Sequence, residues 1–264
     1  MPAKPWLRDY FKRLAENIES NEITSESMLS ATVKIPIKGW YRGRTLLQAL
    51  EYDKDYVQAE YPIQIGTSKP RVDFLLGRDS NKWMLDLKKP GEACDKPKHV
   101  GQIQSYLGQE KISFGILFNG TSALAYVNPD HEFVNDLWKG VKEKELSQMP
   151  QLDLKNNPVT RVTINSGETR EMIRFFQMLR FDGAMPDIKN LVRKLAGDYI
   201  KRVRTESKIS VRFNEIESIV KQMLQNPDEK FIESIIASSP QLLQLRVTPK
   251  EILEAWIVAT SGIK

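Results

Sequence analysis

Two short apolar segments joined by a polar turn constrain this chain more than any other feature. The first is RVDFLLG, residues 71–77, the second is KWMLDLK, residues 82–88, and the turn between them is RDSN. Short apolar runs bounded by turn residues predict an antiparallel β-hairpin with a four-residue loop. In that register Gly77 faces Lys82, and Asp73 therefore lies directly opposite Asp86.

The predicted hairpin places two carboxylates side by side. Directly opposed residues have Cβ atoms about 4.5–5.5 Å apart on one face of the sheet. Lys88 shares that face because side chains alternate along a strand, whereas the other face is apolar, with Val72 opposite Leu87. Like charges that oppose each other in a mostly buried hairpin are costly unless a proton or a cation neutralises them.

A divalent cation is one way to balance the pair. Oxygen ligands suit Mg²⁺, which usually takes only one or two protein carboxylates together with substrate phosphate oxygens. Lys88 would then orient an attacking water or stabilise the charge that develops on a phosphate. The alternative is an ordinary ion pair on a solvated face, Asp86 with Lys88 or Asp73 with Arg71, which needs no metal.

The flanking segments predict an α/β domain around this hairpin. Residues 57–65 alternate as a strand in which Pro62 requires an edge or a bulge. Residues 98–110 read as a helix that stacks Gln102 and Tyr106, four positions apart, on one face. On another face of that helix, Val100, Ile103 and Leu107 would pack on the sheet. Further predicted elements are a helix over residues 5–20 and strands at SFGILF and ALAYV.

These motifs, in this order, resemble the PD-(D/E)xK nuclease superfamily. The segments RVDFLL, WMLDLKKPG, GQIQSYL and FGILFNGTSALAYV are most similar to the N-terminal nuclease domain of type I restriction enzyme R subunits. The resemblance covers roughly residues 45–130. It implies a restriction-endonuclease-like fold, a mixed central sheet flanked by helices.

The resemblance also implies roles for individual residues. Asp73 and Asp86 would bind Mg²⁺ or Mn²⁺, and Lys88 would be the catalytic lysine. Gln102 and Tyr106 would be the supporting helix pair. The superfamily often has a further upstream glutamate, for which Glu60 is the first choice and Glu51 the second; an ordinary surface role for Glu60 is an equal alternative.

The sequence departs from the family pattern at three points. Val72 stands where the superfamily name has proline, and Asp86 replaces the glutamate more usual in R subunits, so the metal would sit closer to the strand. No GxxxxGK[ST] motif follows, and a translocase motor is therefore not expected in this sequence.

A compositional shift near residue 150 predicts two domains, a nuclease domain at 1–155 and a mainly helical domain at 156–264 for binding or oligomerisation. Candidate contacts to nucleic acid are the basic side chains near the hairpin and on a basic segment of the second domain, namely Lys89, Lys96, Lys98, Arg193 and Arg202. A solvated surface is the alternative for each of them.

Composition allows this interpretation. The net charge of +5 tolerates nucleic acid as a partner, and the single Cys94 excludes an internal disulfide framework. No signal peptide or membrane span is evident, so a cytoplasmic location is expected. The sequence thus predicts a metal-dependent endonuclease that hydrolyses DNA in restriction or defence. The alternatives are a non-cleaving nuclease-fold module for nucleic-acid binding or assembly, and a nuclease directed at RNA.

Overall fold

A computed structural model describes residues 5–34, 44–139, 141, 149, 152–164, 168–225, 229–246 and 248–260. The contacts within the chain divide it into two compact units, residues 1–203 and residues 204–264. Within the described ranges, no helix is both long enough and apolar enough to cross a membrane.

The first unit is built on one mixed sheet. In its described residues six strands follow each other in chain order across the sheet, and only the third and fourth are parallel. The strands are β1 (Val57–Pro62), β2 (Arg71–Leu76), β3 (Trp83–Leu87), β4 (Phe114–Phe118), β5 (Ser122–Val127) and β6 (Thr160–Thr163). A mixed sheet with helices confirms the predicted α/β class.

The strand sequences account for their places in the sheet. β3 and β4 are buried along their whole length, as expected for apolar strands at the centre of a sheet covered on both faces. β1 lies at the edge, where the missing N–H of Pro62 removes no ladder bond from a central strand. Gly77 closes the β2–β3 hairpin at φ 92°, and a Cβ there would collide with the carbonyl oxygen of Asn81.

Helices cover both faces of the sheet. They are α1 (Pro5–Glu19), α2 (Glu26–Val33), α3 (Leu46–Ala49), α4 (Pro97–Gln109), α5 (Glu132–Lys139), α6 (Arg170–Gln177) and α7 (Ile188–Gln225). α4 is the crossover that the parallel β3–β4 pair requires. The sequence predicted α1 and α4 from their apolar spacing but missed α2, which is short and begins at the N-cap Ser25.

Two apolar clusters fill the space between helices and sheet. The helix-rich core includes Leu7, Phe11, Leu29, Phe74, Leu85, Leu87, Phe118, Phe176 and Leu195. The α4 core, on the other face, consists of Ile63, Val72, Leu75, Met84, Cys94, Val100, Ile103, Tyr106, Leu107, Ile112, Leu117, Leu124 and Tyr126. Val100, Ile103 and Leu107 therefore pack on the sheet as predicted.

The first unit extends further along the chain than the sequence suggested. The expected boundary lay between residues 155 and 156, but β6 pairs with β5 beyond that point. Phe176 of α6 and Leu195 of α7 are buried in the helix-rich core. The division of the contacts at Val203 therefore differs from the predicted boundary, because TRVT is too short a strand to stand out among helical segments.

The described residues of the second unit are mainly helical. Beyond the last part of α7 they form α8 (Glu229–Ser238), α9 (Pro240–Leu245) and α10 (Pro249–Thr260). A capping box begins α10, since the Thr248 amide donates to Glu251 Oε2 at 2.7 Å and the Glu251 amide donates to Thr248 Oγ1 at 3.4 Å.

Close approach of α4 to the sheet depends on Gly115 in β4. A Cβ at that position would lie 3.1 Å from Ile103 and 3.2 Å from Leu107. We expect Gly115→Val to lower the free energy of unfolding by about 1–3 kcal/mol through overpacking. On the exposed face of α4, Gly108→Ala meets open space and should instead raise it by roughly 0.5–1 kcal/mol. Urea unfolding of both variants tests this, and equal effects would contradict the packing.

Candidate active site

The β2–β3 hairpin has the predicted register up to the first carboxylate. Phe74 pairs with Leu85, and the pairing continues to Leu76 with Trp83. At the other end the Leu87 amide donates to Asp73 Oδ2 at 2.6 Å. A side-chain carboxylate thus takes a β3 amide where an unbroken ladder would use a backbone carbonyl, and the strands separate at this end.

The backbone of β1 is also irregular beside Asp73. Ala59 pairs with Phe74 and Tyr61 pairs with Val72, and Glu60 between them has a φ of 53°. Beyond this point Val72 packs into the α4 core, whereas Leu87 packs into the helix-rich core. The expectation that Val72 lies beside Leu87 on one apolar face was therefore wrong, because β2 does not keep its alternation past Asp73.

Four polar side chains form a continuous chain across β3 and α4. Lys88 Nζ donates to Asp86 Oδ2 at 2.6 Å and approaches Gln102 Oε1 at 3.4 Å. Gln102 Nε2 in turn donates to the Tyr106 hydroxyl at 2.6 Å. Asp86 and Lys88 are only 3% and 6% exposed. The structure thus brings together the predicted pair on β3 and the predicted pair on α4.

The electrostatics of this cluster favour a proton on one carboxylate. Burial first, and then the charge of Asp86, raise the pKa of Asp73 to about 7, against the opposing effect of the Leu87 amide. Burial alone would lower the pKa of Lys88, but the neighbouring Asp86 carboxylate raises it above the usual value. Lys88 is therefore charged at neutral pH, while Asp73 titrates near neutrality.

Comparison with known proteins identifies the region that contains this cluster. Residues 41–137 match the family described as the type I restriction enzyme R protein N terminus. The resemblance of the motifs to the N-terminal domain of R subunits is confirmed over this segment. No curated protein and no solved structure is significantly similar to the chain. The matched segment covers less than half of the chain and includes Asp73, Asp86, Lys88, Gln102 and Tyr106.

Glu26, an exposed glutamate that precedes the matched segment, acts on the cluster through its charge. Glu26, in the first turn of α2, is close enough for its charge to act on both Asp73 and Lys88. Burial raises the pKa of Glu26, Lys88 opposes that shift and Asp86 adds to it. Sequence reasoning missed Glu26 because its spacing from Asp73 contains no local pattern; its N-cap neighbour Ser25 marks a helix start and no more.

The two glutamates chosen from the sequence pair with basic side chains. Glu60 is exposed and lies 3.8 Å from Lys34, and Glu51 lies 3.2 Å from the buried Arg180. Glu60 nevertheless lies between the Ala59–Phe74 and Tyr61–Val72 pairs, beside Asp73, so its place as a metal ligand stays a prediction.

The predicted phosphate contacts fall into two groups. Lys96 and Lys98 lie near the cluster and share an acidic partner, Glu92, and Lys89 is exposed just after β3. Arg193 and Arg202 are exposed on α7. That helix begins where the Ile188 amide contacts Asn81 Oδ1, in the turn at the opposite end of the hairpin from Lys88.

The donor set at the cluster suits a hard divalent cation. Within the ranges that the structure describes, no three His, Cys, Asp or Glu side chains are grouped as metal ligands. Two neighbouring carboxylates are nevertheless what Mg²⁺ uses when phosphate oxygens and water complete its shell. Asp73 and Asp86 could hold such an ion, with Glu26 nearby.

The raised pKa of Asp73 makes the stability of the metal-free protein depend on pH. Since the folded state keeps the Asp73 proton up to about pH 7 and the unfolded state loses it near 3.8, this stabilisation is complete below 3.8 and is lost as the pH rises through 7. The unfolding free energy of the wild type should therefore fall by up to about 1.4 kcal/mol for each unit of rising pH in this range, and we expect this fall to be absent in Asp73→Asn.

Urea unfolding in EDTA at pH 5 and pH 8 measures this effect. The variant should gain stability relative to the wild type between the two pH values, because asparagine keeps an acceptor for the Leu87 amide and cannot ionise. A difference that does not change with pH would contradict the assignment of the proton to Asp73.

Proposed function

We propose that this chain is a metal-dependent endonuclease that hydrolyses phosphodiester bonds in DNA. The observation that supports it most is the juxtaposition of Asp73, Asp86 and Lys88 where β2 and β3 separate. The match to the N terminus of a restriction enzyme subunit over residues 41–137 supports nucleic-acid cleavage as the chemistry.

Asp73 and Asp86 would bind Mg²⁺ or Mn²⁺, with Glu26 as the third carboxylate, directly or through water. A bound divalent cation would supply Lewis-acid polarisation of the phosphate and a more acidic water. Because Asp86 already accepts from Lys88 at 2.6 Å, its free oxygen and the carboxylate of Asp73 are the groups that would face the ion.

Lys88 would orient the attacking water and stabilise the negative charge that develops on the phosphate. Its ammonium has three protons, one of which is donated to Asp86 and one directed at Gln102. The third is available for a phosphate oxygen or a water. Gln102 and Tyr106 are positioning residues, since their hydrogen bond of 2.6 Å fixes the amide that Lys88 approaches.

DNA is the substrate favoured by the restriction-enzyme match. The exposed Lys89 and the lysines at the start of α4 would contact the backbone of the bound strand. Arg193 and Arg202 would extend that contact only if the duplex reached α7. Residues 204–264 remain a candidate surface for a second copy or a protein partner.

Cleavage of supercoiled plasmid tests the proposal. With Mg²⁺ or Mn²⁺ the wild type should nick or linearise the plasmid, and Lys88→Met and Asp73→Asn should each reduce the rate by about 10²-fold or more, because each removes charge that acts on the transition state. Lys82→Met, at the other end of β3, is the matched control and should cleave at the wild-type rate.

The same assay separates the alternatives. Cleavage of a structured RNA but not of plasmid would indicate an RNA-directed nuclease, and metal-dependent binding of either substrate without cleavage would indicate a non-cleaving module. Glu26→Gln should lower the rate, whereas Glu60→Gln should not. The reverse pattern would restore Glu60 as the upstream glutamate and contradict the role of Glu26.

A further inference from the structure

Near the proposed catalytic groups, the Glu92 carboxylate contacts three basic side chains, and the four residues are called the Glu92 cluster. Glu92 Oε1 lies 2.9 Å from Lys96 Nζ, 3.0 Å from His99 Nε2 and 3.4 Å from Lys98 Nζ. The hydrogen bond from Lys96, followed by that from His99, lowers the pKa of Glu92 to about 2. Glu92 is therefore ionised at neutral pH, and two lysines converge where one would balance its charge.

The backbone that presents Glu92 is held in place. Asn119 Nδ2 donates to the Glu92 carbonyl at 2.7 Å, and its Oδ1 accepts from the Ser122 amide at 2.7 Å. The Glu92 amide closes a turn onto the Lys89 carbonyl at 3.0 Å. The loop after β3 and the turn after β4 thus set the position of the Glu92 backbone, without any contribution from the two long lysine side chains.

Accessibility differs sharply among the three basic groups. The side chain of His99 is 8% exposed, whereas those of Lys96 and Lys98 are 47% and 69% exposed. The imidazole of His99 is therefore the buried part of the Glu92 cluster, and the two ammonium groups reach solvent. A ligand arriving from solvent would therefore meet the lysines first.

The Glu92 cluster lies beside the proposed catalytic groups. His99 and Gln102 are three residues apart on α4, so they lie on one face at a separation of about 4.5 Å along the helix axis. Gln102 contacts Lys88, and the charge of Glu26 is affected by Glu92 as well as by Asp86. A strand whose scissile phosphate sits at Lys88 would bring a neighbouring phosphate towards this cluster.

A backbone phosphate is the ligand that this chemistry suits. A phosphodiester has one negative charge and strong acceptor oxygens, the same charge and acceptor type as a carboxylate. We propose that Lys96, Lys98 and His99 form a subsite for a phosphate next to the scissile one, and that the Glu92 carboxylate fills this subsite until the phosphate replaces it. The inference rests on the proposed nuclease function and adds an internal competitor to it.

If Glu92 competes with phosphate, removing its charge should raise the affinity for DNA, whereas removing the charge of an ordinary surface ion pair should leave the affinity nearly unchanged. Binding of a labelled DNA duplex is measured in EDTA over a range of salt concentrations. Glu92→Gln should bind about fivefold more tightly than the wild type, since no carboxylate has to leave. Lys96→Gln combined with Lys98→Gln should bind more weakly, with the slope of log K against log salt reduced by about 1–2.

Glu16→Gln is the matched control, because it removes the same charge from an exposed glutamate that lies 3.9 Å from Lys12 on α1. Its affinity should stay within about twofold of the wild type. If Glu92→Gln binds no more tightly than Glu16→Gln, the competitor is overturned. If the double lysine variant keeps the wild-type affinity and salt slope, the subsite is overturned, and this second test holds even where Glu92→Gln fails to fold.

The proposed function fails in a different way. If neither the wild type nor Glu92→Gln binds duplex or single-stranded DNA at low salt, both proposals are overturned. Binding by the wild type without a gain in Glu92→Gln overturns only the role of Glu92 as a competitor and leaves the nuclease proposal standing.

Discussion

The hydrogen bond from the Leu87 amide to the Asp73 carboxylate determines the geometry of the whole cluster. It occupies a β3 donor with a side chain, and the β2–β3 pairing ends at Phe74 and Leu85. The separated strand ends leave room beside Asp86 and Lys88 for the side chains of α4. A regular ladder would instead press the two carboxylates together on a closed sheet surface, where their repulsion would be uncompensated.

Buried charge is the main energetic cost of this arrangement. Removing one partner from a buried ion pair typically costs about 3–5 kcal/mol, because the remaining charge is left without compensation. Asp86 and Lys88 compensate each other at 2.6 Å, and Asp73 is compensated by a proton near neutral pH and by the Leu87 amide. A divalent cation would replace the proton on Asp73 and neutralise the Asp73 carboxylate in its place.

Local patterns in the sequence predicted those parts of the site that depend on short separations along the chain. The register of the hairpin followed from its four-residue loop, and the stacking of Gln102 with Tyr106 followed from helical spacing. Glu26 could not be found in this way, because only the packing of α2 against the sheet brings it near Lys88. Val72 was misplaced because β2 loses its alternation past Asp73, beside the irregular backbone at Glu60 of β1, and no pattern in the sequence marks this change.

Titration with Mn²⁺, followed by isothermal calorimetry at a single pH, shows directly whether Asp73 and Asp86 bind a divalent cation. The wild type should bind Mn²⁺, and Asp73→Asn should largely abolish binding. Asp9→Asn, a change to an exposed carboxylate on α1, should leave binding intact. Equal binding by Asp73→Asn and the wild type would contradict the claim that the Asp73–Asp86 pair is a metal site.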